Sequence, residues 1–118
     1  FADLALFPCS PSQADLDALG PSLAEVEAAR AYRPDLASAI IINKKDTRTA
    51  LGRGVRTALE GSGHRVLRAE FGYRVAFTET FSIGDGVTRY QPRSAASREA
   101  QELTTEIIET VKEFADVA

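Results

Sequence analysis

The chain predicts an α/β fold, a parallel sheet with flanking helices, and three observations carry that expectation. Leu36-Ala37-Ser38-Ala39-Ile40-Ile41-Ile42 is a near-continuous apolar run. Runs of this kind belong to strands buried on both faces, as in parallel sheets. Strand-like and helix-like segments alternate along the chain, the pattern that builds parallel strands joined by right-handed crossovers. The last segment carries a single apolar stripe at steps of three and four, the mark of a surface helix docked by one face on a sheet.

Ala2 to Pro8 reads as a short buried strand ending in proline. Ser10 to Asp15 opens a helix, with Ser12 and Asp15 at capping-box spacing and aspartate in the glutamate position. Leu16, Leu19, Leu23 and Val26 line one helix face. Gly20-Pro21 interrupts it. Either the helix kinks there, or a second helix restarts with Pro21 in its first turn and Ser22 to Glu25 as another box. Tyr32-Arg33-Pro34-Asp35 is a turn, and the apolar run follows as the second strand. From Thr47, Leu51, Val55 and Leu59 recur at steps of four, so a helix runs to about Glu60, where Gly61-Ser62-Gly63 stops it. Arg65 to Phe71 is a third strand of mixed character. Val75 to Ile83 is a short helix, followed by a Gly84-Asp85-Gly86 turn. Ala96, Ala100, Leu103, Ile107, Val111 and Phe114 form the final stripe. Glu99, Glu102, Glu106 and Glu113 face away or flank it, and Ser94, or Ser97 with its neighbours, caps the start. At ~1.5–3 kcal/mol per large side chain, burying this stripe on a sheet outweighs a membrane or coiled-coil role.

A chain of 118 residues is long enough for one domain with a real core. Its 44% hydrophobic and 26% charged content is ordinary for a soluble protein. No apolar run approaches the roughly 20 residues that span a bilayer, there is no signal peptide, and a cytoplasmic protein is expected. The single cysteine, Cys9, excludes a disulfide within the chain and offers no metal site; in its apolar run it reads as a buried thiol. His64, the single histidine, follows a turn glycine and reads as an exposed loop residue, so a histidine-based triad is not expected. The chain begins at Phe1 and has no methionine, which reads as a fragment, a processed product or a trimmed chain. Charge is uneven. Asn43 to Arg74 holds eight basic and three acidic residues, a balance of +5, inside a chain of net charge −3. Such a block points to a polyanion partner or to a solvated basic face.

Asn43-Lys44-Lys45-Asp46 closes the apolar run. A carboxylate such as Asp46 can accept two parallel N–H bonds from guanine, and an amide such as Asn43 can give and take bonds at a ring edge. Phosphate cradling by G-x-x-x-x-G-K-[ST] needs backbone N–H groups, a lysine and a magnesium-binding hydroxyl, and the chain has no such string. Gly52-Arg53-Gly54 lies within a helical pattern. Two readings remain at this point: the C-terminal half of a GTPase, or a related ATPase class. A GTPase half would carry an S-A-K-like loop after the next strand, and V-L-R-A-E-F-G-Y-R has none.

Four segments carry a resemblance. F-P-C-S-P-S-Q-A-D-L, I-I-I-N-K-K-D-T-R-T-A-L-G, F-G-Y-R-V-A-F-T-E and Y-Q-P-R-S-A-A-S-R-E-A-Q-E-L-T-T-E-I resemble, in order and spacing, segments of ParA-type partition ATPases, a deviant-Walker P-loop group that includes MinD-like proteins. The match runs from about Asp3 to Phe114 and corresponds to the C-terminal half of such a protein. The resemblance implies half of a P-loop NTPase-type three-layer domain, so that residues 1–118 are a single partial domain without its P-loop half. It implies a protein that binds ATP or ADP with magnesium when complete, dimerises, binds DNA non-specifically, and segregates plasmid or chromosomal DNA with a ParB-like centromere-binding partner at the bacterial nucleoid. The fragment itself is expected neither to hydrolyse ATP nor to bind it tightly, and no catalytic or metal-binding residue carries over.

The resemblance places Arg48 and Arg74 at DNA contacts, where a guanidinium suits phosphate, with Lys44, Lys45, Arg53 and Arg56 extending the patch. The bland alternative for each arginine is a surface ion pair, for Arg74 with Glu79. Asn43, Phe71 and Gly72 match positions near the adenine, although the family often carries a proline or small residue near Glu70-Phe71. Pro8, Pro11 and Asp15 match a turn near the nucleotide and dimer interface, or simply cap the helix. The alternative from another class is a non-catalytic DNA-binding or dimerisation module that shares only the fold. A half-domain would expose an unpaired strand edge and an apolar face, so the isolated chain is expected to self-associate or to need the missing segment.

Overall fold

The computed structural model describes residues 3–117, with side chains described through Glu113. Strands β1 (Leu4–Cys9), β2 (Ala37–Lys45) and β3 (Val66–Gly72) alternate with helices α1 (Gln13–Ala29) and α2 (Ala50–Glu60), and α3 (Val75–Ile83), α4 (Val87–Tyr90) and α5 (Ala95–Val117) follow. The strands form a parallel sheet in the order β1-β2-β3. Leu4 pairs with Ala37 through to Cys9 with Ile42. Ile40 pairs with Val66, and the β2–β3 register shifts twice before Lys45 meets Gly72. The α/β fold with a parallel sheet flanked by helices is therefore observed.

The pleat explains the layering, since alternate side chains of a strand point to opposite faces. Ile40 and Ile42 join Cys9, Leu23, Val55 and Leu59 on the face covered by α1 and α2. Ala39 and Ile41 join Leu67 on the other face, against Leu103 and Ile107 of α5. Ile40, Ile42 and Leu67 are fully buried, so the apolar run is the centre of the core.

Several boundaries differ from the sequence reading. The first strand contains Pro8 and ends at Cys9; β1 pairs on one side only among the described residues, and an edge strand tolerates a proline. Ala2 lies outside the described residues. Helix α1 is one continuous helix with Pro21 inside it. The proline removes one backbone donor, yet the apolar stripe crosses it unbroken, and burial of Leu23 and Val26 holds the second half in line. Thr49 caps α2, its hydroxyl accepting from Gly52 N at 2.9 Å, so the helix begins after Thr47. Its buried row is Gly52, Val55 and Leu59, and Leu51 is exposed. Ser94 caps α5 by accepting from Ser97 N at 3.1 Å. Helix α4 has no counterpart in the sequence reading. His64 is half-buried in its loop rather than exposed. Val111 is exposed, and the side chain of Phe114 lies outside the described residues. Glu106, expected to face away from the stripe or flank it, is buried, because it accepts from Arg68 N at 2.8 Å and Ala69 N at 2.7 Å on β3.

Candidate functional site

The carboxyl ends of β2 and β3 bring the motif residues together. Asn43, Lys44 and Lys45 belong to β2 itself rather than to a loop after it. Lys44 takes a left-handed φ of 51° where the β2–β3 register slips, and its N–H donates to Asn43 Oδ1 at 3.0 Å. Asp46 then closes a tight turn. Its carbonyl accepts from Thr49 Oγ1 at 2.9 Å, and a Cβ at Gly52 would stand 1.9 Å from that carbonyl oxygen. Only glycine fits there, which lays the start of α2 directly against the end of β2.

Two open clefts, each about 520 Å3, lie on either side of Gly72-Tyr73-Arg74-Val75. One is lined by Asn43, Lys44, Phe71, Phe77 and Thr78. The Phe71 and Phe77 rings meet there at 4.9 Å between centroids. An aromatic wall with an amide at its edge suits a planar heterocycle, which stacks on the rings and bonds at its rim. The other cleft is lined by Lys45, Asp46, Arg48, Glu70, Arg74 and Glu99, so its chemistry is ionic. Of the predicted residues, Asn43 and Phe71 line only the aromatic cleft and Arg48 only the ionic one, while Gly72 and Arg74 belong to the ridge and border both.

Every cation named in the ionic cleft faces a carboxylate. Arg48 grips Asp46 in a fork, Nε to Oδ1 and Nη2 to Oδ2 both at 2.9 Å, while Arg48 N also donates to Oδ1 at 3.0 Å. These bonds hold the Asp46 carboxyl down to about 2. Both oxygens are occupied, so Asp46 is not presented as a guanine clamp. Arg74 forks onto Glu99, Nε to Oε1 at 3.2 Å and Nη2 to Oε2 at 3.0 Å; this bonding raises the arginine above its ordinary value. The partner is Glu99 on α5, not the expected Glu79. Glu70 is shared by Lys45 at 2.9 Å and Arg56 at 2.7 Å. Burial pushes this carboxyl up, but the bonds from Lys45 and Arg56 outweigh it and hold it below the ordinary range. Arg56 also donates to Glu60 and to the Leu67 and Arg68 carbonyls.

The remaining site residues fall elsewhere. Arg53 donates to the Thr47 carbonyl at 3.1 Å. Exposed Lys44 makes no ion pair among the described residues. Pro8 and Asp15 line a separate indentation of about 150 Å3 with Phe7. Asp15 accepts from Ser10 N at 3.0 Å, and its own N–H donates to Ser12 Oγ at 3.2 Å, with Pro11 between them in the turn. Cys9 is buried as expected, and burial, then the Asp15 charge, pushes its thiol up. Sequence reasoning missed Glu70, Glu99 and Phe77. Glu70 had a signal, since an acid between apolar strand residues demands a cation. Glu99 had none, because its pairing depends on where α5 docks. Among the described residues no three or more His, Cys, Asp or Glu side chains gather as a metal site, and no helix is long and apolar enough to cross a membrane.

No family model matches the chain. It is similar to "Maintenance of carboxysome distribution protein A" of Halothiobacillus neapolitanus, with 31% identity over 110 residues. That span covers 90% of this chain and 50% of the relative, so the chain spans about half the length of the protein it matches. The likeness supports grouping the chain with the ParA-like proteins that its four segments resemble.

Proposed function

We propose that the chain is about half of a ParA-like positioning ATPase, supplying the base side of a nucleotide site and a phosphate-binding surface for non-specific DNA. The observation that carries this reading is the convergence of Arg48 and Arg74 on one cleft at the carboxyl ends of adjacent parallel strands. Ligands of open α/β sheets bind in crevices outside those strand ends. The likeness to a carboxysome-distribution protein along nine-tenths of the chain supports the same reading.

In the complete protein, ATP with magnesium supplies the phosphoryl chemistry. In this chain Asn43, Phe71 and Gly72 fit the base, with Phe77 completing the aromatic wall. The phosphates are left to residues outside it, since Gly52 packs on the Asp46 carbonyl inside a helix and offers no cradle. Pro8, Pro11 and Asp15 shape the turn after β1 and border the nucleotide or dimer interface. Arg48 and Arg74 contact DNA phosphates, Lys44 and Arg53 extend the surface, and Lys45 and Arg56 contribute field through their shared Glu70. The protein dimerises and moves a cargo, either DNA held by a ParB-like partner or, by analogy with the relative's name, a carboxysome.

Titrating the full-length protein with duplex DNA at several salt concentrations tests this reading. Affinity that falls steeply and log-linearly with salt, independent of sequence, supports it; salt-independent or absent binding overturns it.

A further inference from the structure

In both forks of the ionic cleft the carboxylate is the more buried partner, held also by a backbone N–H, and the arginine is the more exposed one. Glu99 is also tied by Gly72 N, which donates to Oε1 at 3.2 Å, and its side chain is 17% exposed against 43% for Arg74. Asp46 is tied by Arg48 N at 3.0 Å, and its side chain is 26% exposed against 81% for Arg48. Arg74 folds back closely over Gly72, where a Cβ would stand 3.0 Å from Nε and 3.1 Å from Cζ and the guanidinium would have to give by a few tenths of an ångström. An arginine that leaves its carboxylate for a phosphate leaves behind an anchored negative charge facing the polyanion.

We propose that Glu99 and Asp46 are built-in restraints that compete with a bound polyanion for Arg74 and Arg48 and thereby set its affinity. This rests on the DNA reading above and names its regulation. A phosphate must displace a carboxylate at each arginine. Each fork is bidentate and its carboxylate only partly exposed, so a single phosphate gains little by opening one, whereas a polyanion presenting many phosphates gains at several cations at once. The restraint favours extended nucleic acid over isolated phosphate groups and keeps binding readily reversible.

The test uses full-length protein and a fluorescent duplex at fixed salt. Glu99→Gln keeps an oxygen for Gly72 N, and Asp46→Asn keeps one for Arg48 N, while each removes the charge. Asp35→Asn is the control, because Asp35 pairs with Arg33 before the start of β2 and changes net charge equally. Each cleft variant is expected to tighten duplex binding roughly two- to five-fold beyond the control, and the pair together more. Arg48→Ala and Arg74→Ala are expected to weaken binding and lower the salt slope by about one each. If the arginine variants behave so but neither Glu99→Gln nor Asp46→Asn exceeds the control, the restraint is overturned and the DNA reading stands. If the arginine variants change neither affinity nor slope, the DNA reading falls and the restraint with it. Should Glu99→Gln disturb folding in a thermal melt, Asp46→Asn decides alone.

Discussion

Asp46 meets Arg48 through both carboxylate oxygens, and its titration should report that fork. Its folded value of about 2 lies below the ordinary 3.8. A lowered acid adds stability that is present above its ordinary value and lost as pH falls through the folded one. The contribution of this pair is therefore kept at neutral pH and lost between about pH 4 and pH 2. Carbon-detected NMR titration should place the Asp46 midpoint near 2 in the wild type and move it upward in Arg48→Ala; an unmoved midpoint would assign the shift elsewhere. At this scale Arg48 and Arg74 were singled out through D-T-R-T and Y-R-V-A, and the fold brings both to one cleft. Their partners were only half legible. Asp46 is two residues from Arg48, so local spacing offers it. Glu99 is twenty-five residues from Arg74, and only the docking of α5 brings it near.

Helix α2 shows how element placement depends on single atoms. Gly52 and Gly54 look alike in sequence, both within one helix. A Cβ at Gly52 would collide with the Asp46 carbonyl at 1.9 Å, whereas nothing lies within 4 Å of one at Gly54. Gly52→Ala is expected to destabilise by about 1–3 kcal/mol, the usual cost of forcing atoms into a packed site. Gly54→Ala should stabilise by roughly 0.5–1 kcal/mol through helix propensity. Thermal melts of the two variants in full-length protein should move in opposite directions, and a shared direction would refute the close approach. The β2 run and the α5 stripe were legible from their apolar patterning, and the 75–83 helix was legible as a short segment before the Gly84-Asp85-Gly86 turn. The unbroken α1 was not, because burial of Leu23 and Val26 overrides the local effect of Pro21. The extension of β2 was not either, because Lys44 adopts a φ that polar sequence alone does not announce. Nor was the inward turn of Glu106, which follows from β3 donors that need an acceptor.

Across the whole molecule the two sheet edges differ. Glu106 and Glu99 of α5 occupy the N–H groups of Arg68, Ala69 and Gly72 on β3, which blocks strand addition there. β1 has no partner on its outer side among the described residues. Tyr32, Tyr73, Val75, Phe81 and Ile83 are exposed. The radius of gyration is 15.3 Å, against about 13.5 Å for a compact domain of this length. An open edge and a spread shape favour the reading of a partial domain. Light scattering of the isolated chain should accordingly show self-association; a monodisperse monomer with a cooperative melt would contradict it. The most direct test of the account is the salt dependence of duplex DNA binding by full-length protein with ATP, compared with the Arg48→Ala/Arg74→Ala double variant. The account predicts weaker binding and a log–log slope lowered by about two, one phosphate contact per arginine; a slope and affinity unchanged from wild type would contradict it.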